Sequence, residues 1–390
     1  MTARVLFYVQ HLLGIGHLKR AEILAEAMAA VGLDVTVAYG GIPIPEVSFS
    51  GVRLARLPAA TIADEDFSSL LDENGQPVDG AWKEARATAL HDLWSEHNPD
   101  VVLLELFPFG RRQFAFELIP LLEAIHADGN RARVACSVRD VLVASRKPGR
   151  DAQVVETVRR FFDAVLVHGD PTLVPFGATF KGAGEIADLI RHTGYVTSAS
   201  EGAASPTNGG HEVLVSAGGG AVGASLLFAA MEARPLTALA GRRWRFLTGP
   251  NLPDADYAKL QAMPEEGVIV ERFRADFPAL LKASALSISQ AGYNTTMDIL
   301  TSGARSIVIP YETKGETEQR LRAEILASKG LLTVVPAAEL SPTRLAEAVA
   351  EATAKAVAPL TVDISGATTT ARLVKELAVR RLGAKGMTGR

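Results

Sequence analysis

The sequence predicts an α/β protein with two doubly wound, Rossmann-like domains that face a cleft. Short apolar runs alternate with helical patterns in both halves of the chain, which is typical of parallel sheets covered by helices. A polar segment at 197–210, rich in Ser, Ala and Gly, separates the two series and is interpreted as a linker. The predicted parts are domains at 1–196 and 211–364, and a C-terminal helix and tail at 365–390 that packs back toward the first domain.

In the first half, apolar runs predict buried strands, because a parallel strand covered on both faces is apolar throughout. These runs are Val5–Val9, Asp34–Tyr39, Val52–Leu57, Val101–Glu105, Arg133–Val138 and Val165–Val167. Apolar residues at helical spacing predict helices at His17–Ala30, Trp82–Glu96 and Arg111–His126, and the polar stretch Ala63–Gly80 is interpreted as a long loop.

The second half repeats the alternation. Strands are predicted at Val213–Ser216, Arg243–Leu247, Val268–Val270, Leu286–Ile288, Ser306–Ile309 and Leu332–Val335. Helices are predicted at Val222–Ala233, Ala275–Ala283, Thr295–Ser302, Glu316–Ser328, Pro342–Ala356 and Ala367–Arg381. Because sheets of this kind bind ligands at the carboxyl ends of their strands, the turns that follow the strands are the places to search for a site.

Composition excludes several classes of protein. The chain has 390 residues and a net charge of −4, so no basic field attracts nucleic acid, and no nucleic-acid partner is expected. Its one cysteine, Cys136, excludes an internal disulfide and any multi-cysteine metal site. No apolar run reaches the ~18 residues of a transmembrane helix. Without a signal-peptide pattern, the expected compartment is the cytoplasm, with peripheral membrane association left open.

No metal or dinucleotide cofactor is expected. The acid pairs of Asp64–Asp66 and Asp254–Asp256 stand in stretches interpreted as polar loops, and the His residues show no ligand spacing. The first βα turn, Gly14-Ile-Gly-His17, has Lys19 where a dinucleotide fingerprint needs its third glycine. The second strand ends at Gly40 without the acid that would hold an adenosine ribose, so NAD and FAD are rejected.

His17 is the candidate general base. It begins a helix, where the macrodipole favours the neutral imidazole. Glu105 ends an apolar strand and is expected to orient His17, as the third member of a triad orients its base, with Asp140 a less favoured alternative. Two other interpretations stay open: His17 caps its helix, or Glu105 forms a salt bridge with Arg111 or Arg112.

An acceptor pocket is predicted beside this pair. Its candidate residues are Gly16, Phe107, Phe109, Arg111 and Asp140, which stand in the turns at the ends of neighbouring predicted strands. Aromatic residues next to a proline are equally typical of simple packing.

Two glycine turns in the second half indicate a nucleotide-diphosphate site. The loop from Ser216 through Gly218, Gly219 and Gly220 allows a ligand to approach the backbone closely. The segment Gln290–Asp298 passes through a turn at Gly292 into a helix whose first N–H groups can hold a phosphate. Asp298, in the second turn of that helix, would then reach a ribose hydroxyl. Further along, Glu318 and Gln319 stand at a helix start, either binding sugar hydroxyls or forming a solvated helix entrance.

These pieces together resemble the MurG-like GT-B glycosyltransferases of glycosyltransferase family 28, from about Val213 to Ala350. The resemblance rests on Ser216–Ala221, Phe273–Arg274, Gln290–Asp298, Gly303 to Pro310, and Glu318–Gln319. It implies that the glycine loops hold the donor pyrophosphate, Asp298 the ribose, Phe273–Arg274 the base and Glu318–Gln319 the sugar. The donor-binding set is Ser216, Gly218, Gly219, Gly220, Phe273, Arg274, Gln290, Gly292, Asn294, Thr295, Thr296, Asp298, Glu318 and Gln319. The family usually has Glu where this chain has Asp298.

The expected function is therefore metal-independent transfer of a sugar from a nucleoside-diphosphate donor, preferably UDP-linked, to an unidentified small-molecule or lipid-linked acceptor. The nucleotide sugar is a substrate, and no cofactor is expected. A hydrolase or epimerase of the same architecture is the first alternative, and a nucleotide-sugar-binding module without catalysis is the second. The sequence predicts neither the stereochemistry of transfer nor the oligomeric state.

Overall fold

The protein is described from a computed structural model. It covers residues 2–12, 16–44, 47–62, 69–128, 132–142, 149–197, 212–218, 223–263, 266–312, 318–355 and 362–387. The chain forms two compact units. Unit 1 comprises Met1–Ser198 together with Asp363–Arg390, and unit 2 comprises Ala199–Val362.

Unit 1 contains a parallel sheet of seven strands in the order β3-β2-β1-β6-β7-β8-β9. Its strands are β1 (Arg4–Val9), β2 (Asp34–Tyr39), β3 (Arg53–Arg56), β6 (Val101–Glu105), β7 (Arg133–Arg139), β8 (Ala164–His168) and β9 (Ile190–His192), with a separate antiparallel pair, β4 (Thr61–Ile62) and β5 (Leu70–Leu71). The helices are α1 (Gly16–Ala30), α2 (Gly80–His97), α3 (Ala115–Ala127) and α4 (Arg150–Phe161).

Both faces of the central strands of this sheet are buried, which explains why these strands are apolar. Successive side chains of a strand point to opposite faces. Leu6 and Tyr8 accordingly belong to one hydrophobic cluster, and Val5, Phe7 and Val9 belong to the other.

Unit 2 contains a parallel sheet of six strands in the order β12-β11-β10-β13-β14-β15. Its strands are β10 (Glu212–Ser216), β11 (Arg243–Leu247), β12 (Val268–Glu271), β13 (Leu286–Gln290), β14 (Ser306–Ile309) and β15 (Thr333–Val334). Its helices are α5 (Ala224–Ala233), α6 (Asp254–Gln261), α7 (Phe277–Ala283), α8 (Tyr293–Ser302), α9 (Glu318–Ser328) and α10 (Pro342–Ala354). All adjacent strands are parallel, so every strand ends at the same edge of the sheet.

The last helix, α11 (Gly366–Met387), packs on unit 1, as predicted. One hydrophobic cluster contains buried residues of both α1 and α11, and those of α11 are Ala371, Val374 and Ala378. The backbone N–H of Tyr195 donates to the Asp363 carbonyl over 2.7 Å. Gly194 has a φ of 81°, and an added Cβ there would lie 2.5 Å from the Asp363 side chain, so glycine is required at this junction.

Five helices or strands differ from the sequence prediction. The helices α4 and α6, the short strand β4 and the edge strand β9 were not predicted, and β5 lies within the predicted loop Ala63–Gly80, of which 63–68 fall outside the described residues. The interpretation of Asp254–Asp256 as loop is wrong, because these residues form the first turn of α6. Acids favour a helix N-terminus through the macrodipole, so the same polarity that suggests a loop also begins a helix.

Among the described residues, no helix is long and apolar enough to cross a membrane.

Candidate functional site

His17 and Glu105 meet at the carboxyl edge of the unit 1 sheet. Strands β1 and β6 are neighbours; His17 lies in the first turn of the helix after β1, and Glu105 is the last residue of β6. His17 Nδ1 lies 2.8 Å from Glu105 Oε1. The structure thus brings together the two side chains that the sequence assigned to base and orienting acid.

Two arginines flank the Glu105 carboxylate. Arg20 donates from Nη2 to Oε1 over 2.8 Å, and Arg111 Nε lies 3.9 Å from Oε2 while donating to the Gln10 carbonyl over 2.8 Å. The predicted alternative of a salt bridge to Arg111 is therefore also present. Sequence reasoning did not assign Arg20 a role, although its i, i+3 spacing from His17 places both on one helix face.

The charges around Glu105 determine the tautomer of His17. Arg20 Nη2 also lies 2.9 Å from His17 Nδ1, so Nδ1 has a carboxylate and a guanidinium within reach. A carboxylate can only accept and a guanidinium can only donate. We assign the proton to Nδ1, which donates to Glu105, because Arg20 already has Glu105 as its acceptor. The lone pair of Nε2 then remains available as a base.

Burial and charge shift both pKa values. Burial lowers the pKa of His17 to about 4, with Arg139 adding to the effect and Glu105 opposing it. Burial alone would raise the pKa of the Glu105 carboxyl, but His17, Arg111 and Arg20 hold it well below its usual range. At neutral pH the pair is therefore an uncharged imidazole beside an ionised carboxylate, the protonation state that a general base requires.

The predicted acceptor residues have different environments. Phe107 and Phe109 are buried in the core of unit 1, and Phe109 packs edge-to-face against Phe176, so both aromatics serve packing in this structure. The buried Asp140 carboxylate accepts from the Tyr195 hydroxyl over 3.1 Å. Gly16 begins α1, with open space where a Cβ would lie.

In unit 2, the end of β10 lies beside the end of β13, with Ser216 paired to Ser289. Gly218 follows with a φ of 72°, the left-handed region that favours glycine, and its N–H donates to the Ser216 hydroxyl over 3.4 Å. A Cβ at Gly218 would lie 3.8 Å from Gln290 Oε1, so the two predicted pyrophosphate segments are neighbours. The remainder of that loop, Gly219 and Gly220, lies outside the described residues.

Helix α8 (Tyr293–Ser302) begins at this edge of the sheet. Gly292 occupies the N-cap position without a side-chain hydrogen bond. Asn294 is exposed, Thr295 is partly exposed, and the buried Thr296 hydroxyl has no partner in the described part of the chain. A helix N-terminus with glycine at the N-cap is suited to hold a phosphate, because the first N–H groups of a helix have no acceptor within the helix.

Asp298 stands in the second turn of α8. It is partly buried, and its carboxylate makes no hydrogen bond or ion pair with any residue that the structure describes. Burial raises its pKa to about 6. A carboxylate buried without a partner is costly, and a ligand hydroxyl would offset that cost.

Phe273 and Arg274 follow β12. The Phe273 side chain is 70% exposed, unusual for an aromatic residue, while Arg274 Nη2 pairs with Asp276 over 2.7 Å. A solvent-exposed ring at a strand end offers a flat apolar surface to a base.

Glu318 and Gln319, at the start of α9, have separate surroundings. Glu318 is 5% exposed and accepts from Arg322 Nη2 over 2.8 Å, whereas Gln319 Oε1 accepts from the Tyr311 N–H over 3.0 Å. The sequence predicts one sugar-binding pair, but the structure engages the Glu318 carboxylate inside the unit.

The strand order arranges these groups in a row along one edge. Phe273 follows β12, Gly218 and Gly292 follow the central strands β10 and β13, and Tyr311 with its partner Gln319 follows β14. A ligand that extends along this edge would meet an aromatic surface, then two glycine turns, then a side-chain amide.

Known proteins are similar to this chain in sequence and in fold. Residues 214–377 match the glycosyltransferase family 28 C-terminal domain. A UDP-N-acetylglucosamine–N-acetylmuramyl-(pentapeptide) pyrophosphoryl-undecaprenol N-acetylglucosamine transferase of Exiguobacterium sibiricum is 33% identical over 109 residues, which span 28% of this chain and 30% of that relative.

Solved structures are similar over nearly the whole chain. MurG of Acinetobacter baumannii superimposes with a TM-score of 0.59 at 14% identity, covering 98% of this chain and 99% of MurG. A calicheamicin glycosyltransferase gives a TM-score of 0.61 at 14% identity, covering 98% and 95%. At such identities the likeness shows the fold alone.

The fold is therefore that of the GT-B glycosyltransferases. Residues 214–377 are similar to the C-terminal domain of glycosyltransferase family 28, and the fold of the chain is similar to that of MurG. This confirms both the predicted fold class and the predicted resemblance.

Proposed function

We propose that the protein transfers a sugar from a nucleoside-diphosphate donor, preferably UDP-linked, to an acceptor hydroxyl or amine in the cytoplasm. Unit 2 binds the donor: the N-terminus of α8 holds the diphosphate, Asp298 the ribose and the exposed Phe273 ring the base. The observation that carries the proposal is the Asp298 carboxylate in the second turn of α8, which pairs with no residue that the structure describes and lies within the region that matches family 28. The relative from Exiguobacterium sibiricum is named for a UDP-linked donor.

Unit 1 supplies the base in this proposal. His17, oriented by Glu105, takes the acceptor proton at Nε2, and the Glu105 carboxylate stabilises the imidazolium that forms. Backbone N–H groups of unit 2 stabilise the leaving diphosphate. The acceptor, whether a small molecule or a lipid-linked group, is bound by unit 1.

Hydrolysis of the nucleotide sugar is the second candidate function, since the same base can activate water. Incubation with the donor alone separates the two reactions. Release of free sugar in amounts that follow enzyme concentration favours hydrolysis, whereas an intact donor that is consumed only with an acceptor favours transfer.

The base of the donor is tested by thermal stabilisation with UDP, GDP, ADP and dTDP. A ligand present at 100 times its dissociation constant stabilises the folded state by about 2.7 kcal/mol, enough to rank the nucleotides. We expect UDP to raise the melting temperature most. If all four nucleotides raise the melting temperature equally, or if none of them raises it, the donor assignment is contradicted.

Turnover is expected to survive removal of divalent cations. The part of the chain that the structure describes contains no cluster of three or more His, Cys, Asp or Glu side chains suited to a metal. In this proposal, the N-terminus of helix α8 stabilises the negative charge of the diphosphate, which a metal ion would otherwise do. The measurement is the rate in excess EDTA. A lost rate that magnesium or manganese restores would show that a metal takes part.

Donor affinity is expected to rise as the pH rises through about 6, where the Asp298 carboxyl loses its proton. The ionised carboxylate is the stronger acceptor for the ribose hydroxyls, so binding at pH 6, where about half of the sites are protonated, should release about half a proton per site. Calorimetry with a nucleotide sugar in two buffers of different ionisation enthalpy measures this release, and a nucleotide sugar avoids the terminal phosphate ionisation of UDP. Asp298→Asn is the matched control, and proton release that persists in it would exclude Asp298 as the source.

A further inference from the structure

We infer that Arg322 is a positioning residue that aligns the two helix N-termini of the donor site, and that Glu318 acts through Arg322 rather than on the sugar. The inference rests on the proposed function, which places the diphosphate at α8 and the sugar at α9.

Contacts of Arg322 in the described part of the chain join the two helices. Its Nη2 donates to Glu318 Oε1 over 2.8 Å, within α9, and its guanidinium carbon lies 5.1 Å from the centre of the Tyr293 ring. Glu318 is the first described residue of α9, and Tyr293 is the first residue of α8. One side chain therefore touches the starting residues of both helices.

The contacts are buried, so they are not the incidental pairing of surface charges. Arg322 is 1% exposed and Glu318 is 5% exposed. A buried ion pair contributes little net stability compared with apolar side chains of the same volume, because desolvating both charges offsets their attraction. What the pair provides is geometry: a planar guanidinium has a fixed fork for the carboxylate and a flat face for the ring.

Gln319 is left to contact the sugar. Consecutive helical residues point about 100° apart, so the residue after Glu318 cannot share its inward direction. Gln319 is partly exposed, and the Tyr311 N–H holds its Oε1 at 3.0 Å. That bond fixes the amide plane and directs the Nε2 hydrogens, which donate, away from Tyr311.

This arrangement predicts that UDP and a UDP-sugar depend on Arg322 to different extents. UDP needs only the glycine turns and α8, whereas a UDP-sugar needs α8 and α9 in register. Loss of Arg322 should therefore weaken binding of the UDP-sugar more than binding of UDP, and the ratio of the two affinities should change. A purely structural role for Arg322 would lower the melting temperature and leave this ratio unchanged in the folded fraction.

The experiment measures dissociation constants by calorimetry for UDP and for whichever of UDP-glucose and UDP-N-acetylglucosamine the wild type binds more tightly. In Arg322→Met we expect UDP-sugar affinity to fall by roughly 10-fold, as small misplacements of binding groups do, and UDP affinity to change by less than about 3-fold. Arg322→Lys keeps the charge for Glu318 and should lose less. The control is Arg320→Met, which removes an exposed arginine of the same helix, paired with Glu312 and Glu324, and should leave the ratio unchanged.

A second pair of variants keeps the inference testable if Arg322→Met does not fold. Tyr293→Phe retains the ring under the guanidinium and should behave as the wild type, whereas Tyr293→Leu should change the ratio as Arg322→Met does. An unchanged ratio in folded Arg322→Met, or in Tyr293→Leu, overturns the inference. A wild type that binds neither UDP nor a UDP-sugar overturns the proposed function instead, and this inference with it.

Discussion

His17→Ala is expected to lower turnover by roughly 10²–10⁴-fold, the usual contribution of a positioned general base, while donor affinity stays nearly unchanged. Its Nδ1 is held by Glu105 at 2.8 Å, which leaves Nε2 as the basic nitrogen. The proposed donor-binding groups all belong to unit 2, so removing an imidazole from unit 1 should not disturb them. Steady-state rates and donor titrations on the same preparation measure both quantities.

The pH profile sharpens this expectation. Because burial lowers the pKa of His17 to about 4, the basic form dominates down to that pH. The measurement is made at saturating donor, where bound donor keeps Asp298 ionised. Under that condition kcat/KM for the acceptor should stay level from neutral pH to about 5 and should fall as the pH drops through 4. His17→Ala should lack this limb. If the pH profile of His17→Ala shows the same acidic limb as the wild type, the ionisation belongs to another group.

Two further variants separate a base from a capping residue. Glu105→Gln should lower turnover less than His17→Ala does, because the His17 ring loses its orienting carboxylate but keeps Nε2. The substitution also leaves Arg20 and Arg111 without their counter-charge, so a lower melting temperature is expected. His97→Asn, which removes another imidazole of unit 1 with a pKa lowered by burial, is the control and should retain turnover. Full activity in folded His17→Ala would leave His17 a structural role only.

Much of the fold follows directly from local sequence pattern. The bounds of β2, β6, β11 and β14 agree with the predicted ones. Most residues of these strands are buried, and a buried parallel strand is a largely apolar run of sequence. Helix α4 was missed because only Val154, Val158 and Phe161 are buried, one residue per turn among charged neighbours. Strand β9 has no buried residue and pairs on one side only, so alternation could not reveal it.

The candidate site was predictable where it depends on sheet topology. Ends of neighbouring parallel strands must meet, which is why His17 and Glu105 come together although 88 residues separate them in the chain. The parts that depend on side-chain direction were not predictable. Sequence adjacency suggested a joint role for Glu318 and Gln319, but the i, i+4 partner Arg322 engages only the first of them. Phe107 and Phe109 had patterns equally typical of core and pocket, and packing in three dimensions placed them in the core.

Asp298→Ala is expected to weaken nucleotide-sugar binding by about 10- to 100-fold, since hydrogen bonds to a charged acceptor contribute roughly 1.5–3 kcal/mol. Because no described residue pairs with this partly buried carboxylate, its removal should not lower the stability of the ligand-free protein and can raise it. That combination, weaker binding without a lower melting temperature, distinguishes a ligand-binding acid from a structural one. Calorimetry and thermal unfolding of the same sample measure both.

Matched substitutions define how the acid acts. Asp298→Glu should lower the affinity for the nucleotide sugar only slightly, since the similar family usually carries Glu there. Asp298→Asn keeps an acceptor oxygen but loses the charge, so its affinity should lie between those of the wild type and Asp298→Ala. Asp256→Ala removes an acid of the same unit that pairs with Lys259 on the surface, and donor affinity should not change. If folded Asp298→Ala binds the nucleotide sugar as tightly as the wild type, the ribose assignment fails. The burial of an unpartnered carboxylate on α8 would then need another ligand to explain it.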